Sequence, residues 1–122
     1  DKSMSSTIKP YVDKLDPMAR FEEKAWGSFT ILDIQPESLT IKIILRPGNE
    51  LKYHSHEHRD EVWTVLSGTG YTIVDDVRRE VKSGDVITLP LGCRHTIHAI
   101  SELQVIEVQT GAILDADDKI RY

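Results

Sequence analysis

A chain of 122 residues, 39% hydrophobic with 7 glycines, has the size and apolar content of one compact domain, which excludes wholesale disorder and argues against two separate cores. Its 15 basic and 20 acidic residues leave a net charge of −5, and no Lys/Arg block is long enough to follow a phosphate backbone, so nucleic acid is not expected as a partner. No apolar run approaches the roughly 20 residues of a bilayer span, and the single cysteine, Cys93, cannot close an internal disulfide, so no membrane partner is expected and a reducing cytoplasmic setting is.

Residues 1–24 are polar, carry Pro10 and Pro17, and read as an N-terminal arm ahead of a single domain over residues 25–122. Asp16 before Pro17 predicts an N-cap and first helical position, with a short helix running through Glu23. From Trp26 onward the texture changes to short β-branched and aromatic runs. They are divided by Pro36-Glu37-Ser38, Pro47-Gly48-Asn49, Ser67-Gly68, Asp75-Asp76, Ser83-Gly84-Asp85 and Leu91-Gly92. The predicted strands are Gly27–Ile34, Leu39–Leu45, Leu51–His56, Glu61–Leu66, Tyr71–Val74, Val77–Val81, Val86–Leu89, His95–Ile100 and Leu103–Gln109. Short strands at this spacing, with no crossover helices between them, predict an all-β sandwich or small barrel.

All five histidines fall between positions 54 and 98. In an extended strand His54 and His56 share a face, and a bend over Glu57-His58-Arg59-Asp60 would turn Glu61 back onto it. A second strand pair must deliver His95, because one hairpin alone would leave such a site open to water. Neutral imidazoles with one carboxylate suit a single divalent ion, Mn, Fe(II), Co, Ni or Zn, with a position left for substrate. The plainer alternative for His54, His56 and His58 is a solvated edge-strand face. His58 and His98 fall outside the ligand pattern and read as surface or supporting groups, and Cys93 reads as a buried inert thiol in a turn.

The spacing of Gly48, His54, His56, Glu61 and Gly68 matches the first motif of the cupin superfamily, and Gly84, Pro90, Gly92 and His95 match the second, except that Ala99 stands where that motif ordinarily has Asn. The chain therefore resembles a cupin, which implies a double-stranded β-helix, or jelly-roll barrel, with His54, His56, Glu61 and His95 as metal ligands. Further pieces resemble the cupin domain of type II mannose-6-phosphate isomerases, also found at the C-terminus of mannose-1-phosphate guanylyltransferases. They are Trp26-Gly27-Ser28-Phe29, Ile41-Lys42-Ile43, His56 through Trp63, Ile106-Glu107-Val108-Gln109 with Gly111, and Asp117-Asp118 with Arg121. His54 stands where those domains usually carry Gln, and no nucleotidyltransferase half accompanies these residues, so guanylyl transfer is not expected of them.

The resemblance implies interconversion of mannose 6-phosphate and fructose 6-phosphate through an enediol. Glu107, on the same strand face as Leu103 and Val105, is the expected proton carrier, and Arg121 the expected phosphate or enediolate partner. Lys42 and Arg59 are cationic substrate-binding candidates by match, and Trp63 is expected to wall the pocket. A sugar phosphate is thus the expected small-molecule partner, and a homodimer the expected assembly. Alternatives are an Fe(II)-dependent dioxygenase-type cupin and a non-catalytic sugar-binding cupin.

Overall fold

The computed structural model describes residues 20–51, 54–56, 59–89, 92–111 and 119–121, with the backbone alone at 54–56, 59 and 119–121. Eleven strands make two antiparallel sheets among these residues. The first sheet has the order β1 (Phe21–Lys24), β2 (Gly27–Gln35), β3 (Ser38–Leu45), β10 (Leu103–Gly111), β5 (Arg59–Ser67), β8 (Val86–Leu89). The second runs β11 (Lys119–Arg121), β4 (His54–His56), β9 (His95–Ala99), β6 (Thr69–Val74), β7 (Val77–Lys82). The expected all-β jelly-roll is present, and each of the nine predicted strands coincides with an observed one to within a few residues.

Alternation explains the barrel. Along β3, Leu39, Ile41, Ile43 and Leu45 are buried and the residues between them are not, so one face is committed to the interior. Phe29 and Ile31 of β2, Trp63 and Val65 of β5 and Leu103 and Val105 of β10 join them, and Val81, Ile97 and Ala99 approach from the second sheet. Gly68 links β5 to β6 at φ +92°, and a Cβ built there would lie 2.0 Å from the Glu102 carbonyl oxygen, so only glycine lets the two backbones pass.

Two local expectations are corrected. Phe21 to Glu23 do not continue a helix: Phe21–Lys24 pairs with β2 around a turn at Ala25 and Trp26, while residues 16–19, where that helix was expected to begin, lie outside the described residues. A helix of one or two turns gains little alone, whereas an edge strand pairs its backbone groups with a formed sheet. Arg59 and Asp60 likewise belong to β5 rather than to a bend, because β10 runs on to Gly111 and pairs with them there.

Among the described residues, no helix is long and apolar enough to cross a membrane.

Candidate functional site

The barrel interior changes character along its strands. Reading β10 from its start, the inward positions are Leu103, Val105, Glu107 and Gln109, all buried, so the lining turns from apolar to polar. On β5 the same change runs backward through Val65, Trp63 and Glu61. Because the strands are antiparallel and in register, Glu107 lies opposite Trp63 and Gln109 opposite Glu61, and the polar halves coincide. Buried polar side chains are costly unless satisfied, so their concentration at one end of the barrel marks that end as the site.

His95 enters the same end from the second sheet. It is 2% exposed, its Nε2 lies 3.6 Å from Glu61 Oε1, and the edge of its ring meets Trp63 with centroids 5.4 Å apart. His95 Nδ1 is 3.1 Å from the Cys93 carbonyl oxygen, which can only accept. A proton on Nδ1 would satisfy that carbonyl, and it is Nε2 that is turned toward Glu61.

What holds His95 there is the tip of the β6–β7 hairpin. Asp75 and Asp76 occupy its two-residue turn, both at positive φ, 47° and 68°. The Asp75 N–H donates to the Arg94 carbonyl at 2.7 Å, the Arg94 N–H donates to Asp75 Oδ1 at 2.8 Å, and the Arg94 guanidinium pairs with Asp76. Val74, immediately before the turn, is the register partner of His95.

The histidine-bearing strand is placed by its backbone. Gly48, Asn49 and Leu51 bond to Ala99 and Ile97 of β9, and Glu50 bridges to His98, so this segment runs antiparallel to β9. The register then shifts by one residue, and His54 pairs with His95. Position 54 is thereby on the sheet face of buried His95, position 56 is two residues along, and β11 puts Arg121 opposite His54 and Lys119 opposite His56.

The expected site residues thus separate into three groups. Glu61, Trp63, His95 and Glu107 are buried together. His54, His56 and Arg121 are adjacent to them in register, and Arg59 opens β5 opposite Gly111; the side chains of these four lie outside the described residues. Lys42 is not brought to the site. It occupies the outward parity of β3, between buried Ile41 and Ile43 and in register with Thr30 and Ile106 on the outer face.

His98 also stays outside: its Nδ1 is 2.9 Å from Glu50 Oε1, and its ring stacks on Tyr71. His58 lies outside the described residues. Cys93 is buried, and burial pushes its thiol up to about 11, so near neutral pH it is a protonated, unreactive group. A surface cleft lined by residues including Thr69, Lys82, Asp85 and Ile100 sits at the far end of β6 from Val74 and shares none of these groups.

Gln109 is the residue that site reading from the sequence passed over. Its Nε2 donates to Glu107 Oε2, and Trp63 Nε1 donates to Oε1 at 2.7 Å. The parity that singled out Glu107 applies equally to Gln109. Glu107 is pushed up to about 8, first by burial and then by the nearby Glu61 charge, against which the Trp63 and Gln109 hydrogen bonds act in the opposite direction.

The donor chemistry suits a divalent cation. Among the described residues no three His, Cys, Asp or Glu side chains gather as a metal cluster. Glu61 and His95 nevertheless offer one carboxylate and one oriented imidazole in the interior, and the register sets positions 54 and 56 beside them.

Comparison with known proteins places the chain in a family. The model of the family described as mannose-6-phosphate isomerase C-terminal matches residues 15–122. Over 98% of its length the chain is 37% identical to mannose-1-phosphate guanylyltransferase 2 of Escherichia coli O157:H7, of which it covers 27%. An RmlC-like cupin from Shewanella frigidimarina has a TM-score of 0.71 at 25% identity, over 75% of this chain and 83% of that one. Oxalate decarboxylase from Bacillus subtilis, at 17% identity and a TM-score of 0.73 over 83% of this chain and 29% of that one, shares the fold alone. The chain spans little more than a quarter, 27%, of the length of these curated relatives. With the matched region covering nearly all of its length, the chain belongs to the mannose-6-phosphate isomerase C-terminal family and is a cupin domain.

Proposed function

We propose that this domain is a metal-dependent aldose–ketose isomerase that interconverts mannose 6-phosphate and fructose 6-phosphate. The observation that carries the reading is Glu107: a carboxyl group 1% exposed, beside Glu61 and Trp63, at the polar end of a barrel whose other inward positions are mostly apolar. Family membership supports the choice of substrate class, and the buried acid supports the choice of chemistry.

His54, His56, Glu61 and His95 would hold the cation. When bound, a divalent ion serves as a Lewis acid that draws charge from a substrate oxygen. Glu107 takes the proton from C2 of the aldose and returns it to C1, while the hydroxyl proton passes from O2 to O1, leaving the carbonyl at C2. A group held near neutrality between its two forms suits this double duty, since it must accept at one carbon and donate at the next. Trp63 walls the site on the side of His95 and excludes water there. Arg121, in register with His54, offers a guanidinium for the substrate phosphate.

The test is fructose 6-phosphate formation by metal-free protein reconstituted separately with Zn, Mn, Co, Ni and Fe(II), alongside His56→Ala and Glu107→Gln. Metal-dependent turnover that His56→Ala abolishes and Glu107→Gln lowers by about 10²-fold or more supports the proposal. Tight metal binding with no turnover under any of these conditions overturns it.

A further inference from the structure

Glu107 has both of its oxygens held from outside. Trp63 Nε1, from the neighbouring strand, donates to Oε1 at 2.7 Å, and Gln109 Nε2, two residues along the same strand, donates to Oε2. Gln109 is itself 1% exposed, directly opposite Glu61 on one side and Leu39 on the other. An apolar side chain there would continue the Leu103 and Val105 pattern against Leu39 with no polar group to satisfy. An amide at that place carries a desolvation cost that packing does not require.

Its geometry shows what the amide does. A glutamate side chain has three torsions, and one hydrogen bond leaves the carboxylate free to turn about it. Donors to each oxygen, from two separate side chains, fix the carboxylate plane, with the Glu61 side chain as the third group bonded to it. Transfer between adjacent carbons depends on that aim, and a misplacement of about 1 Å costs about 10²-fold in rate.

We infer that Gln109, together with Trp63, is a positioning residue that fixes the carboxylate plane of Glu107 toward the substrate carbons. For its substrate the inference rests on the isomerase reading; for the clamp it rests on the two hydrogen bonds alone.

The test uses the full chain loaded with the most active metal, and compares wild type with Gln109→Met, which keeps length and removes the donor. Two readouts are needed: the indole N–H resonance and exchange rate of Trp63, with Trp26, the only other tryptophan, as internal reference, and kcat and KM for mannose 6-phosphate. The expected result is a shifted Trp63 resonance with exchange faster by about tenfold, Trp26 unchanged, kcat lower by about 10²-fold and KM within about twofold. Gln109→His, which restores an N–H at similar reach, recovers part of both.

An unmoved Trp63 signal, or an unchanged kcat, overturns the inference, as does a kcat loss that Gln109→His does not relieve. Should wild type show no isomerisation, the isomerase reading fails separately, and the Trp63 signal still decides the clamp: moved in Gln109→Met it stands, unmoved it falls. If Gln109→Met does not fold, Gln109→Asn, too short to reach, serves in the same comparison.

Discussion

Glu107 ties stability to pH in a direction opposite to that of most carboxylates. An acid raised from 4.5 to about 8 in the folded state binds its proton more tightly there than in the unfolded chain. Its contribution is therefore complete below about pH 4.5 and is lost as pH rises through about 8. Denaturant melts of metal-free wild type and Glu107→Gln isolate the effect: the stability of wild type relative to the variant should fall steadily across that window. A flat difference would mean that Glu107 is not protonated in the metal-free fold.

At this scale the sequence was partly legible. The alternation through Leu103, Val105 and Glu107 was enough to send Glu107 inward. Lys42 shows the limit of matching by family: its position agrees, yet Ile41 and Ile43 on either side already dictate an outward parity. Gln109 was overlooked because an amide neither titrates nor commonly ligates metal, so its role appears only once Glu107 has a position.

At the scale of elements, the β6–β7 hairpin acts through its tip. A two-residue turn at positive φ is ordinarily given to Asn or Gly, and two aspartates are retained here with their carboxylates engaging Arg94, next to His95. Asp75→Gly suits the turn but removes the acceptor for the Arg94 N–H. The expected outcome is a nearly unchanged Tm with metal affinity weakened by about tenfold, measured by chelator competition. Equal affinities would show that His95 needs no such support.

The turn signal at the tip of this hairpin was visible in the sequence, because Asp75-Asp76 separates the two runs that form its strands. The outermost strands were less visible. Phe21–Lys24, with three charged residues after a single apolar one, has no apolar–polar alternation in its sequence and becomes a strand because β2 is there to pair with it. Lys119–Arg121 is shorter still and is defined by β4. Pairing partners distant in sequence, rather than local propensity, decide such segments.

For the whole molecule, a cation shared by both sheets would act as a cross-brace, since Glu61 belongs to one sheet and His54, His56 and His95 to the other. Binding to the folded form alone stabilises by mass action, about 2.7 kcal/mol when free metal is a hundredfold above Kd. Rigorous chelation should therefore lower Tm by several degrees, and His56→Ala should melt alike with and without metal. A wild-type Tm indifferent to chelation would argue against an occupied centre.

The position of β10 has a kinetic consequence. This strand, residues 103–111, lies in the middle of the six-stranded sheet, between β3 and β5, and contributes Glu107 and Gln109. Until it arrives, β3 and β5 each present a bare edge, so during synthesis the barrel cannot close until residues 103–111 have left the ribosome. Folding that waits on such distant pairings belongs to the slow class, milliseconds to seconds. Throughout that interval the nascent chain displays two long, apolar strand edges, the kind of surface on which stray strands add. The strand that carries the chemistry is therefore also the one whose late arrival sets how long the chain is open to aggregation.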